Sequence, residues 1–139
     1  MLTIIPETLA QYVENHASAE PSLLSELRTA TYGTLDDPQM QVGRVEGTFL
    51  RLLVELVGAR RVLEIGTYSG YSTLSMAAGL PEDGRLVTCD IDPVATKVAQ
   101  QFFDRSPHGS KIELRLGDAS TTLTALSAEA EAAPFDLAF

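Results

Sequence analysis

The sequence has 139 residues, of which 45% are hydrophobic and 21% charged, which is ordinary for one globular domain with one core. Its net charge of −9 argues against a broad nucleic-acid or anionic-membrane surface, since such surfaces rest on clustered Lys and Arg. The single cysteine, Cys89, permits no internal disulfide and is expected to be a buried, inert thiol. No signal-peptide pattern and no apolar run of membrane-spanning length is present, so we expect a cytoplasmic protein.

Helical patterns dominate the first 58 residues. The sequence predicts a helix over residues 6–17, a second over 20–32 that stops at Gly33, and a loop over 34–43. A third helix follows and ends at Gly58. Its expected core face consists of Val45, Phe49, Leu52, Leu53 and Leu56.

The stretch from Arg61 to Ser72 predicts the opening of a βαβ unit. Residues 61–65 form a short apolar run, typical of a strand buried on both faces. Gly66 and Gly70 break this strand, and a helical pattern through Leu80 follows. We expect Gly66 to remove a Cβ where a ligand approaches, and Gly70 to let the helix start close to the strand. In an open α/β sheet, the crevice beyond such a strand binds the ligand.

The spacing of the two glycines excludes several common sites. Tyr68 stands where a dinucleotide motif has its second glycine, so its side chain would crowd a pyrophosphate. No Gly-Lys-Ser/Thr follows, as a P-loop requires, and Ser69 stands one place too late for a nucleophile elbow. The turn therefore suits a nucleotide-like ligand without a pyrophosphate, or it is a structural βα turn.

Two acidic residues support a ligand site. Glu64 lies in an otherwise apolar strand, and because a buried carboxylate is costly, we expect it to face the crevice. Asp90 ends the next apolar run, at the place where an acid accepts hydrogen bonds from ribose hydroxyls. Its alternative role is a helix N-cap. Asp92, followed by Pro93, is the better cap, which leaves Asp90 for a ligand.

The rest of the chain continues the alternation of helices and strands. A helix from Pro93 should carry Val94, Val98 and Phe102 inward, and His108 should be a solvated loop residue. A strand over 112–116 alternates apolar and polar residues, which predicts a place near the sheet edge. A helix over 120–132 and a strand from 135 complete the chain. For Asp118, a cap role and a ligand role remain open. The order of elements favours a doubly wound sheet.

Four motifs in this order carry a family resemblance. From about Met40 to Phe139 the chain resembles the S-adenosylmethionine-dependent O-methyltransferases of the caffeoyl-CoA and catechol type. The motifs are Glu64-Ile65-Gly66-Thr67-Tyr68-Ser69-Gly70-Tyr71-Ser72, Leu80-Pro81-Glu82-Asp83-Gly84, Asp90-Ile91-Asp92-Pro93 and Gly117-Asp118-Ala119. The resemblance implies an α/β class I methyltransferase fold with a Rossmann-like doubly wound sheet. Residues 1–139 would form a single cofactor-binding domain, with amino-terminal helices over 1–58 and the first four strands over 59–139.

The resemblance also implies which residues bind S-adenosylmethionine. From the residues alone, Met40 belongs to a core-packed helix connection, but the resemblance places it with Val42 over the methionine part of the cofactor. Ser72 would hydrogen-bond the methionine carboxylate, Asp90 would hold the ribose, and the turn at Ala119 would flank the adenine. The full cofactor-binding set is Met40, Val42, Glu64, Gly66, Thr67, Tyr68, Ser69, Ser72, Asp90, Ile91, Asp118 and Ala119. No residue is assigned as catalytic.

In the family, the strand that begins at Phe135 leads into acids that bind a Mg²⁺-type divalent metal. This sequence lacks these acids. We therefore expect the chain to be the cofactor-binding part of an incomplete methyltransferase and to be inactive by itself. The complete protein would be a homodimer that methylates a hydroxyl of a small, hydroxylated aromatic acceptor with metal assistance. The alternatives are a non-catalytic S-adenosylmethionine-binding module and an RNA methyltransferase, which the acidic balance disfavours. A nicotinamide-dependent oxidoreductase is disfavoured by Tyr68.

Overall fold

The computed structural model describes residues 4–129 and 133–139. Three helices precede the sheet: α1 over Glu7–His16, α2 over Ser22–Thr34 and α3 over Arg44–Val57. A short 3-10 turn, Pro38–Met40, lies between α2 and α3. The strands are β1 over Arg61–Ile65, β2 over Arg85–Asp90, β3 over Ile112–Leu116 and β4 over Leu137–Ala138. The helices between them are α4 over Tyr71–Gly79, α5 over Pro93–Phe103 and α6 over Ala119–Ala128.

The four strands form one parallel sheet in the order β3-β2-β1-β4. The chain runs outward from β1 to β3 and then returns to the other side of β1. This reversal creates a topological switch point beside β1, where open α/β sheets bind their ligands. The predicted doubly wound sheet is confirmed, and so is the edge position of β3.

The core lies on both faces of the sheet. Val62 packs with Leu50, Val54 and Met76 of α3 and α4, whereas the next residue, Leu63, packs with Leu126 of α6. Because successive strand residues point to opposite faces, α6 covers the face opposite α3 and α4. A further cluster joins α2, α4 and α5 through Leu27, Tyr71, Leu74, Ala99, Phe102 and Phe103.

The predicted core face of α3 is wrong. Its buried residues are Gly47, Leu50 and Val54, whereas Phe49, Leu52 and Leu56 are exposed and Val45 and Leu53 are half-buried. A Cβ at Gly47 would lie 2.7 Å from Ser75 Oγ, so α3 approaches α4 closely at this glycine. The helix carries apolar residues on two sides, and the buried side is the one on which Gly47 lies close to α4.

Several smaller expectations are also wrong. Helix α2 passes through Gly33 to Thr34, and Val94 is exposed in α5, where Ala95 and Ala99 face inward. His108 is half-buried beside Lys111, and burial lowers the pKa of its imidazole. Helix α6 ends at Ala128, and residues 130–132 of the predicted helix lie outside the described residues. None of the described helices combines the length and the hydropathy that crossing a bilayer requires.

Candidate ligand-binding site

Two clefts open at the carboxyl edge of the sheet and meet at Gly66. The first, called the turn cleft, has a volume of about 320 Å³ and lies between residues 39–42 and the turn over 66–72. The second, called the edge cleft, has a volume of about 250 Å³ and lies among residues 65–66, 89–91 and 117–119. Of the predicted set, the turn cleft receives Met40, Val42, Gly66, Thr67, Tyr68, Ser69 and Ser72, and the edge cleft receives Gly66, Asp90, Ile91, Asp118 and Ala119.

Gly66 leaves the junction of the two clefts open. Its φ is +105°, a conformation that residues with a Cβ rarely adopt, and a Cβ built there would meet no atom within 4 Å. The missing side chain therefore corresponds to free space rather than to a packed neighbour. The expectation for Gly70 needs a correction, because its close neighbour is not the strand but the ring of Phe103 on α5.

The carboxylate of Asp90 connects the turn to the edge cleft. Its Oδ2 accepts the backbone N–H of Tyr68 at 2.6 Å, which supports Tyr68 in its left-handed conformation with φ +47°. Its Oδ1 accepts the N–H of Asp92 at 2.9 Å. Because a carboxylate has about four acceptor positions, Asp90 can still accept ligand hydroxyls. The helix cap is Asp92, as predicted, and it accepts the N–H groups of Val94 and Ala95.

Glu64 does not face the crevice, so that expectation is wrong. Its side chain is fully buried, and the carboxylate accepts hydrogen bonds from Ser72 Oγ at 2.5 Å, Thr73 Oγ1 at 2.5 Å and Thr88 Oγ1 at 2.6 Å. Burial raises the pKa of the Glu64 carboxyl, while these hydrogen bonds act in the opposite direction. The three hydroxyls come from α4 and β2, so the buried acid joins both elements to β1.

Ser72 is shared between this buried cluster and the turn cleft. Its hydroxyl proton is donated to Glu64, so its oxygen reaches the cleft as an acceptor. A contact with a ligand carboxylate, as predicted for Ser72, would require the proton to leave Glu64. That contact stays a prediction.

At the edge cleft, Asp118 has the cap role. Its Oδ1 accepts the N–H groups of Ser120 at 3.0 Å and Thr121 at 3.2 Å, together with the Ser120 hydroxyl at 2.5 Å. These bonds lower the pKa of Asp118, the Ser120 hydroxyl most of all. Ile91, which is 72% exposed, and Ala119 give the same cleft an apolar wall.

Sequence reasoning missed several residues of the turn cleft, among them Gln41, Glu46 and Tyr71. Gln41 and Glu46 belong to no motif, and only the path of the segment between α2 and α3 brings them here. Tyr71 lies in a quoted motif, but its contacts depend on α2. Among the described residues, the Tyr68 hydroxyl is a buried polar atom without a hydrogen-bond partner.

The described residues contain no group of three or more His, Cys, Asp or Glu side chains that could hold a metal ion.

A sequence model of the family described as O-methyltransferase matches residues 14–139. The chain belongs to this family. This O-methyltransferase chain is 43% identical over 102 residues to a catechol O-methyltransferase of Niastella koreensis, a match covering 73% of the chain and 46% of the relative. It is 36% identical over 138 residues to a caffeoyl-CoA O-methyltransferase of Populus kitakamiensis, covering 96% and 58%. The chain thus spans about half the length of the curated relatives it matches.

Solved structures agree with this assignment. The O-methyltransferase TomG of Streptomyces achromogenes, which is involved in tomaymycin synthesis and was solved in complex with SAM, superposes with a TM-score of 0.87 at 32% identity. The match covers 95% of this chain and 58% of TomG. An O-methyltransferase of Bacillus cereus in complex with SAH gives 0.86 at 34% identity, covering 95% and 59%. The predicted family and the class I methyltransferase fold are confirmed.

Proposed function

We propose that this chain is the S-adenosylmethionine-binding part of an O-methyltransferase that acts on a hydroxyl of a small phenolic or catechol-like acceptor. The observation that carries the proposal is the pair of clefts that meet at Gly66. Asp90 borders the edge cleft and also holds the amide of Tyr68, which borders the turn cleft. One carboxylate thus organises both halves of the site.

The chemistry of the clefts suits the two ends of S-adenosylmethionine. The turn cleft would take the methionine end, and the edge cleft would take the ribose at Asp90 and the adenine beside Ile91 and Ala119. The acidic side chains Glu46, Asp90 and Asp118 line these clefts, and they favour a ligand that carries a positive sulfonium. Exposed Met40 gives the turn cleft an apolar rim, which suits an aromatic acceptor.

When bound, S-adenosylmethionine would supply an electrophilic methyl group on its sulfonium, and transfer of that group to an acceptor hydroxyl would release S-adenosylhomocysteine and one proton. The described residues would contribute positioning and charge complementarity. Gly66 leaves room at the junction, Asp90 would accept the ribose hydroxyls, and Ser72 presents an acceptor oxygen to the turn cleft. For the whole protein we also propose a Mg²⁺-type ion, the small phenolic or catechol-like acceptor, a homodimer and a cytoplasmic location. We further propose that residues 1–139 form a single domain.

Calorimetric titration of S-adenosylmethionine, and separately of NAD, into the chain tests this proposal. We expect saturable binding of S-adenosylmethionine and no binding of NAD. Asp90→Asn should weaken it about 10- to 100-fold, because hydrogen bonds to a charged group contribute roughly 1.5–3 kcal/mol. Asp104→Asn is the matched control, since Asp104 is an exposed carboxylate at the end of α5. Thermal unfolding should show that both variants fold. Wild-type affinity in Asp90→Asn, or binding of NAD instead, would overturn the proposal.

A further inference from the structure

The segment between α2 and α3 forms one wall of the turn cleft, and its backbone hydrogen bonds are local. The N–H of Met40 donates to Asp37 O at 3.0 Å, and the N–H of Gln41 donates to Pro38 O at 3.1 Å. These bonds shape the short 3-10 turn. They do not connect it to the glycine turn on the opposite side of the cleft.

The side chain of Gln41 makes that connection. Its Nε2 donates to Ser69 Oγ at 2.8 Å, on the opposite wall, and to Thr31 Oγ1 at 2.7 Å, on α2. Both acceptors are fully buried. Thr31 Oγ1 gives its own proton to Leu27 O at 2.9 Å, so its oxygen is free to accept. A side-chain amide carries two N–H protons, so both bonds form at once.

We infer that Gln41 is a positioning residue that sets the width of the turn cleft and thereby the fit of the methionine end of the cofactor. This inference rests on the proposed function. Met40 and Val42, on either side of Gln41, line the turn cleft. Val42 is anchored against the core, whereas Met40 is 63% exposed. The bond to Ser69 therefore holds the less anchored end of the wall against the glycine turn.

The position of Gln41 predicts an effect on one part of the ligand only. S-adenosylhomocysteine has an amino-acid end that would fill the turn cleft. 5′-Methylthioadenosine lacks that end and would occupy the edge cleft and the junction at Gly66. Since Gln41 lines the turn cleft and is absent from the wall of the edge cleft, its loss should affect the first ligand and spare the second.

The test is calorimetric titration of both ligands into the wild type and into Gln41→Ala. Loss of both bonds should lower the fraction of the protein whose cleft wall keeps the binding position, and the apparent affinity falls with that fraction, so we expect about tenfold weaker binding of S-adenosylhomocysteine. The affinity for 5′-methylthioadenosine should be unchanged. Gln101→Ala is the matched control, since Gln101 is an exposed glutamine on α5. Ser69→Ala removes the same bond from the other side, so its effect and that of Gln41→Ala should combine less than additively.

Equal losses for both ligands in Gln41→Ala would overturn the inference, because they would indicate general damage to the turn. Unchanged binding of S-adenosylhomocysteine in that variant would overturn it as well. If the wild type binds neither ligand, the proposed function fails and the inference fails with it. If the wild type binds both and Gln41→Ala binds each with wild-type affinity, only the inference fails.

Discussion

Replacing Gly70 by alanine is expected to destabilise the fold more than replacing Gly66, although both glycines have a positive φ. At Gly70, φ is +90°, and the new Cβ would lie 2.6 Å from Phe103 Cε1 and 3.1 Å from Ala99 Cβ. At Gly66, φ is +105°, and no atom lies within 4 Å of the built Cβ. The two substitutions therefore share a backbone strain and differ in packing.

The structure separates the two costs in free energy of unfolding. Backbone strain at a residue with a Cβ costs about 1–3 kcal/mol at either position. Overpacking against the Phe103 ring adds about 1–3 kcal/mol at Gly70 only. We therefore expect losses of about 2–6 kcal/mol for Gly70→Ala and about 1–3 kcal/mol for Gly66→Ala. With a urea m-value of about 2 kcal/mol/M, the midpoints should fall by about 1–3 M and about 0.5–1.5 M.

Urea unfolding of the two variants, with and without Phe103→Leu, measures this difference. Leucine lacks the ring atoms Cε1 and Cζ, which Gly70→Ala would press against. Phe103→Leu should therefore cost less in the Gly70→Ala background than alone, and the same in the Gly66→Ala background as alone. Equal destabilisation by the two alanines, or strict additivity with Phe103→Leu at position 70, would refute the packing argument.

Two further predictions concern buried ionisable groups. Desolvation raises the pKa of Glu64 above its ordinary 4.5 in the folded state, so its contribution to stability is complete at low pH and falls as the pH rises through the raised pKa. Urea unfolding at a series of pH values measures the free energy of unfolding of the wild type relative to Glu64→Gln. This difference should fall above about pH 4.5, and a rise would contradict the prediction. Lys111 donates from its buried Nζ to Leu80 O at 2.8 Å, beyond the last turn of α4. Lys111→Met should lower the free energy of unfolding by about 1–3 kcal/mol, measured by thermal or chemical unfolding. Lys97→Met, on an exposed part of α5, should lower it little. Equal losses would show that the bond of Lys111 contributes nothing.

Several features of the site could be predicted because they depend on neighbouring residues in the sequence. A buried apolar run followed by Gly66 and Gly70 has few local solutions other than a strand, a turn and a helix. Asp92 followed by Pro93 matches the geometry of a helix N-terminus, and both take those positions. The alternation over 112–116 predicted a place near the sheet edge, and β3 lies at the end of the order of the four described strands.

The sequence by itself determined where β1, β2 and β3 end and which acid ends β2, since hydrophobic period and turn residues act over a few positions. The tertiary structure alone decided the direction of Glu64, whose hydroxyl partners stand 8, 9 and 24 residues away in the chain. It also placed Gln41 against Ser69, 28 residues further along. The physical reason is the same in both cases. A polar side chain satisfies its hydrogen bonds with whatever groups the packing of helices and strands brings near, and no local pattern records that choice.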